Sequence, residues 1–344
     1  MSRKIAVPGK DGNLYIPYEN RKGDKSVVFF TRDLSPEGLL KIYDKVSAGL
    51  EGKIAIKLHT GEPEGPNIIP RPWVRELYEK RLPDATIIET NTYYESPRDN
   101  TEGHRKTLEI NGWTFCPVDI TDEDGVTTLP VEGGKWFTEM HVGSHLPSYD
   151  SMLTLTHFKG HVMGGFGGSN KNIGIGCADG KVGKAEIHTN DVAWDIAKEE
   201  LMERISESTK ATITYFKDHV SYINVMRNMS VSCDCEGKEA EPVVTPDIGI
   251  LASYDILSVD QACIDLIYSL PGGGGKTLIE RIETRHGLRQ LSYMKELGMG
   301  NDLYTLIDID NGDAEITAAE AVKDIAPGWR PDTYNTFPGR NKLN

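Results

Sequence analysis

Short apolar runs alternate with amphipathic stretches along the first third of the chain. Val27–Phe30 reads as a strand, and Ser35-Pro36-Glu37 reads as an N-cap, a first-turn proline and a first-turn acid opening a helix to about Ala48. Ile54–Leu58 is a buried-type strand, and the proline-rich stretch Thr60–Asn67 after it is a stiff loop. A helix over Arg71–Arg81, a strand over Thr86–Thr90, a helix over Asn100–Gly112 and a strand over Phe115–Ile120 follow. This is the βαβ alternation of a parallel sheet. Residues 121–148 are acidic and turn-rich, with a strand-like piece at Thr127–Val131.

The second half opens with the apolar run Met152–Thr156 and then places His157, Lys159 and His161 on alternate positions. In extended backbone these three share one face. Gly164, Gly165, Gly167, Gly168, Lys171 and Asn172 come next, ahead of Gly174, Gly176 and Cys177. Successive glycines let backbone amides turn toward an anion, so this reads as a binding loop at the end of a strand. Ala193, Ala197, Leu201, Ile205 and Thr209 recur at four-residue steps and predict a long helix over Asp191–Asp218, with Trp194 and Met202 beside its inner face. Val220–Met226 and Ile248–Ser253 are buried strands, Val259–Ser269 is a helix, and the chain beyond Asp308 is a polar tail. The pattern predicts an α/β protein of two Rossmann-like lobes with mainly parallel sheets, residues 1–145 and 146–307, before a tail over 308–344. The site would lie at the sheet edges between the lobes.

Composition narrows the function. A formal charge of -14 argues against nucleic acid or an anionic membrane surface as partner. No apolar run is long enough for a membrane span, and the first residues lack the apolar core of a signal peptide, so a cytoplasmic protein is expected. Five scattered cysteines, with no C-x-x-C, suit reduced thiols rather than a disulfide framework.

Histidines suit proton transfer or metal ligation, and lysines suit a carboxylate or phosphate. His157, Lys159, His161 and Lys57 are therefore the candidate catalytic groups. His59, Thr60, Asn91, Gly164, Gly165, Gly167, Lys171, Asn172 and His188 are the candidate contacts to a small anionic metabolite. In Ser232-Cys233-Asp234-Cys235 the two thiols are poorly placed for a mutual disulfide but could ligate iron or another soft metal, with Cys177 as third ligand. Cys116 and Cys263 read as core, and Glu62, Glu64 and Glu89 as lower-ranked candidate bases or ligands. Two loops are discounted. Pro271–Thr277 has Leu270 where a P-loop has its first glycine, and Asp308–Asp313 lacks the glycine register and twelfth-position Glu of a calcium loop.

The stretches AIKLHTGEPEGPN, HFKGHVMGGFGGSNKNIGIG with GKAEIH, INVMRNMSVSCDCEG and DIGILASYDILSVDQACIDLIY resemble the bacterial and archaeal domain-of-unknown-function family labelled "uncharacterised iron–sulfur centre protein". The resemblance spans about residues 27–305. Many members carry an inserted ferredoxin-like module with two CxxCxxCxxxC runs, whereas Thr189–Asp218 here contains no cysteine. With that module lost, the resemblance implies that an iron–sulfur cluster or another transition metal would use Cys233, Cys235 and either Cys177 or Cys263; redox chemistry on the bound metabolite, with an electron-transfer protein as a further partner, is the expected class. Metal-assisted isomerisation or elimination, and non-catalytic metal or metabolite binding, stand as alternatives. The sheet-edge pattern is also loosely similar to the N-terminal region of nickel-pincer lactate racemases.

Overall fold

A computed structural model describes residues 12–326. The strands are β1 (Lys25–Thr31), β2 (Ile54–Lys57), β3 (Thr86–Glu89), β4 (Val118–Ile120), β5 (Val126–Pro130), β6 (Glu139–Gly143), β7 (Ser151–His157), β8 (Lys159–His161), β9 (Gly165–Gly167), β10 (Val220–Met226), β11 (Gly249–Ser253), β12 (Leu303–Asp308) and β13 (Ala314–Ile316). Nine of them form one sheet in the order β13-β12-β1-β11-β10-β7-β2-β3-β4. From β4 through β3, β2 and β7 to β10 every pairing is parallel, while β11 and β13 run against their neighbours. The α/β class with a mainly parallel sheet is as expected.

The strands assigned to two lobes lie in this one sheet. Both edges of β7 are taken, by β2 on one side and β10 on the other, so the two halves share backbone hydrogen bonds instead of each closing its own sheet. The strands alternate across the sheet. Met152 and Tyr222 enter one apolar cluster with the helices α4 (Ser169–Gly176), α6 (Lys198–Phe216) and α7 (Ile256–Ser269), and Leu153 and Ile223 enter another with α1 (Pro36–Asp44) and α2 (Arg71–Arg81). No described helix is long and apolar enough to cross a membrane.

Several local expectations change. The first helix stops at Asp44 rather than Ala48, with Ser35 Oγ accepting from Gly38 N as anticipated. The long helix begins only at Lys198, leaving Ala193 and Trp194 exposed ahead of it. The glycine stretch is not an open loop: it holds β9 and then α4. A buried carboxylate from α7 makes that possible. Asp260 accepts from Ser169 N at 2.7 Å and Asn170 N at 2.9 Å, so first-turn amides expected to face a ligand are already used. Beyond Asp308 the chain is not all tail. It forms β13 and the short helix Ala318–Val322, which opens on a capping box of Thr317 and Glu320. At the other end Arg21 is buried on Asp265 at 2.6 Å. The remainder of the N-terminal arm and of the 308–344 tail lies outside the described residues.

Candidate functional site

The parallel strands β2, β3, β7 and β10 all point their carboxyl ends one way, and the residues just past those ends line a cavity of about 310 Å³. This is where an open parallel sheet places a ligand. Lys57 ends β2, His59 follows it, and Glu89 ends β3. Lys57 Nζ meets Glu89 Oε2 at 2.8 Å, and Thr60 N donates to Oε1 at 2.9 Å. Burial works against the Glu89 charge, yet Lys57, His59 and Arg98 hold its carboxyl well below the usual carboxylate range. Arg98 also pairs with Glu62 at 2.8 Å.

At the end of β7 the chain leaves the large sheet. Phe158 N still donates to the Val225 carbonyl, and then β8 pairs with β9 in a separate hairpin. Lys159 and His161 therefore share a face and line the cavity, while His157 stands behind the wall. His157 bridges Asp234 Oδ2 at 2.9 Å and the Arg227 carbonyl at 2.6 Å, and Lys159 Nζ meets the same Asp234 oxygen at 2.9 Å. Burial opposes the Asp234 charge, but His157 and Lys159 hold it below the ordinary carboxyl range.

The two cysteines follow β10. His161, Cys233 and Cys235 bring their ligand-capable atoms within 4.8 Å of one another and can hold a metal ion. Cys177, the expected third ligand, is buried at the end of α4, and His161 occupies the place expected of it. His161 Nδ1 accepts from Gly164 N at 2.8 Å, so the neutral ring carries its proton on Nε2, which faces Cys235 Sγ at 3.9 Å. Burial and the nearby Lys171 lower this ring to about 4. The Cys235 thiol donates to Cys233. That hydrogen bond, against the cost of burial and with help from His161 and His59, holds Cys233 well below the ordinary thiol range, while the same bond, burial and the Cys233 charge hold Cys235 well above it.

Helices α4 and α5 (Gly183–His188) supply further lining residues. Lys171 and Asn172 face the cavity from the first turn of α4, with Asn172 Nδ2 donating to Thr156 Oγ1 at 2.9 Å. His188 Nδ1 donates to the Lys184 carbonyl at 2.8 Å. Burial, with Lys171, His161 and Lys184 nearby, lowers His188 to about 3, so its Nε2 is a bare acceptor. His161 and His188 thus present opposite tautomers to one space.

Of the expected contacts, His59, Gly167, Lys171, Asn172 and His188 line the cavity. Thr60 is held on Glu89, and the Asn91 side chain donates to Thr101. The Gly164 carbonyl takes Gln290, Gly165 packs on Gly287, and Glu64 pairs with Lys238 at the surface. Arg98, Lys184, Tyr93, Tyr94 and Glu236 line the cavity without having been anticipated. Lys184 Nζ donates to Thr90 Oγ1 at 2.7 Å and to the Asn91 carbonyl. Burial, with help from Arg98 and Lys57, lowers its amine to about 8. Its only sequence signal was its place in the GKAEIH stretch.

Residues 54–265 match the family described as "Domain of unknown function (DUF362)". Among solved structures, the lactate racemase apoprotein from Thermoanaerobacterium thermosaccharolyticum is similar at 11% identity and a TM-score of 0.39, over 91% of this chain and 88% of that one. A protein from Thermotoga maritima is similar at 14% identity and a TM-score of 0.39, over 68% of this chain and 59% of that one. No curated protein matches. The family match takes in more than half of the 344 residues, including both ends of the cavity wall from Lys57 to Cys235, and the chain belongs to the DUF362 family.

Proposed function

We propose that this chain is a metal-dependent enzyme acting on a small anionic metabolite, with the metal on His161, Cys233 and Cys235. The observation that carries the reading is the meeting of three soft or borderline ligand atoms within 4.8 Å on the wall of a cavity that also exposes lysines. Two thiolates and an imidazole suit zinc, nickel, cobalt or iron, and three protein ligands leave a position for substrate. A four-cysteine iron–sulfur cluster does not fit, because only Cys233 and Cys235 of the five cysteines line the cavity. The redox expectation from sequence placed iron–sulfur or another metal on Cys233, Cys235 and Cys177, and Cys177 is not among the residues that line the cavity.

A bound metal would polarise an oxygen of the substrate. The chain's own groups favour proton transfer at the bound anion. Lys171 offers positive charge, Lys184 titrates close to neutral pH, where a general acid or base is most effective, and His188 Nε2 accepts a hydrogen bond. Asp234 keeps Lys159 in place, and Glu89 does the same for Lys57. The class this supports is isomerisation or elimination next to a carboxylate or phosphate.

Metal content of protein purified without oxygen tests the reading. About one transition-metal ion per chain is expected, with a thiolate-to-metal charge-transfer band after cobalt substitution. His161→Ala and Cys233→Ala should each abolish both. Entry of the metal expels the Cys235 thiol proton, while His161 binds as a neutral imidazole, so affinity should rise with pH. Stoichiometric metal retained by Cys233→Ala, or none in the wild type, refutes the assignment.

A further inference from the structure

Three aromatic rings stand on the same cavity as Lys171 and Lys184, which form no ion pair with a carboxylate among the described residues. Tyr93 and Trp194 have ring centroids 5.0 Å apart, Trp194 and His188 5.2 Å, and Tyr93 and His188 6.4 Å with planes only 21° apart. Two of the rings are pinned: the Tyr93 hydroxyl meets Thr189 Oγ1 at 3.2 Å, and His188 donates to the Lys184 carbonyl. The third is held at a cost. Trp194 sits at a φ of 66°, a conformation that bulky L residues rarely adopt, and 41% of it stays exposed. A lone exposed indole would need no explanation. Here, however, the strained indole joins two fixed rings, and all three line one cavity with Lys171, which meets no carboxylate among the described residues. Val162, Met163 and Ile175 extend the apolar wall. A volume of about 310 Å³ is at the small end for ligand pockets, which run from about 300 Å³. A single ring with one anionic group is of that scale.

We propose that the anion taken by this cavity carries a flat unsaturated ring. Its carboxylate or phosphate faces Lys171 and Lys184, and the ring lies against Trp194 and Tyr93. This deepens the anionic-substrate reading of the same site and is independent of the metal.

The test is calorimetric titration of the full chain with four probes: acetate, benzoate, inorganic phosphate and phenyl phosphate. Contact with the aromatic wall should make each ring-bearing probe bind roughly tenfold tighter than its ringless counterpart. Trp194→Ala should remove that margin while leaving acetate and phosphate binding intact, and Tyr93→Ala should do the same should the first variant fail to fold. Lys171→Ala should weaken all four probes. A margin in one pair only would identify carboxylate or phosphate as the group recognised. Equal binding of ring-bearing and ringless probes overturns the ring proposal and leaves the anion site standing. Absence of binding by all four overturns both. Benzamide is titrated as an uncharged control beside these four, and its binding as tightly as benzoate would show a ring pocket with no use for charge and also overturns the proposal. None of these outcomes depends on metal content, so the metal assignment stands or falls separately.

Discussion

Lys184→Met removes a buried charge from the cavity wall while keeping most of the side-chain volume. In the wild type the amine is spent on two neutral acceptors, Thr90 Oγ1 and the Asn91 carbonyl, and forms no ion pair with a carboxylate among the described residues. Burial first, then Arg98 and Lys57, lower it from 10.5 to about 8. At about 1.36 kcal/mol per pH unit, the folded protein disfavours the charged amine by roughly 3 kcal/mol. Between pH 8 and 10.5 the unfolded chain still binds a proton that the folded chain has released. Wild-type stability relative to the variant must therefore rise with pH across that window and be flat below it. Loss of the two hydrogen bonds adds an offset of about 1–3 kcal/mol that does not depend on pH. Urea denaturation of both proteins at intervals from pH 7 to 10.5 reads the difference directly, because groups common to both cancel. The wild type should gain on the order of 3 kcal/mol over the variant by the top of the range. Parallel curves would mean that Lys184 keeps an ordinary affinity for its proton, and its assignment as the proton-transfer group would fall.

Two further perturbations test the supports of the site. Asp234→Asn leaves His157 and Lys159 without the carboxylate that each meets at 2.9 Å, and should cost about 3–5 kcal/mol in the same denaturation assay at neutral pH. Because the native carboxyl is held below its ordinary range, that advantage belongs to pH values above the usual carboxyl range and should fade as the solution is acidified; an unchanged gap at low pH would contradict the ion-pair account. Gly165→Ala and Gly167→Ala should differ sharply although they are two residues apart. The first places a Cβ 2.8 Å from Gly287 Cα at a φ of 76° and should cost about 1–3 kcal/mol, whereas the second meets nothing closer than Lys159 Cε at 3.6 Å and should leave the melting temperature nearly unchanged. Equal melting shifts would refute the packing described for β9.

The fold was legible wherever a run of residues is buried on both faces or carries its own punctuation. Val220–Met226 has no polar face to confuse its reading, and Arg71–Arg81 lies just beyond Pro70, so both match the structure end to end. Helix α4 was not legible, because SNKNIGIG is a poor helix by composition and its capping carboxylate, Asp260, comes from ninety residues further on. Trp194 was misplaced for the opposite reason: small apolar residues continue the helical spacing backward past the true start at Lys198. In the site, the clustered residues Lys159, His161, Cys233 and Cys235 announced themselves, while Arg98 and Lys184 did not. A single basic residue in an unpatterned segment gains meaning only when the sheet order sets β3 and β7 on either side of β2.

That sheet order also explains how a chain of formal charge -14 gathers five cations around one cavity. Three of them bring their own counter-charge from a neighbouring strand end or loop: Lys57 has Glu89, Arg98 has Glu62, and Lys159 has Asp234. Each pair is buried, and a buried ion pair contributes little net stability for the desolvation it costs. What the pairs supply is fixed position, since a lysine held from behind by a carboxylate cannot swing out to solvent. Lys171 and Lys184, on the helical wall, have no such partner among the described residues. The charge without a carboxylate partner among the described residues therefore sits on α4 and α5, and its Lys171 end lies close to His161 and Cys235. On the proposed reading, an anion held at Lys171 therefore lies beside His161 and Cys235, so the group that binds the charge and the group that holds the metal act on neighbouring atoms of one ligand.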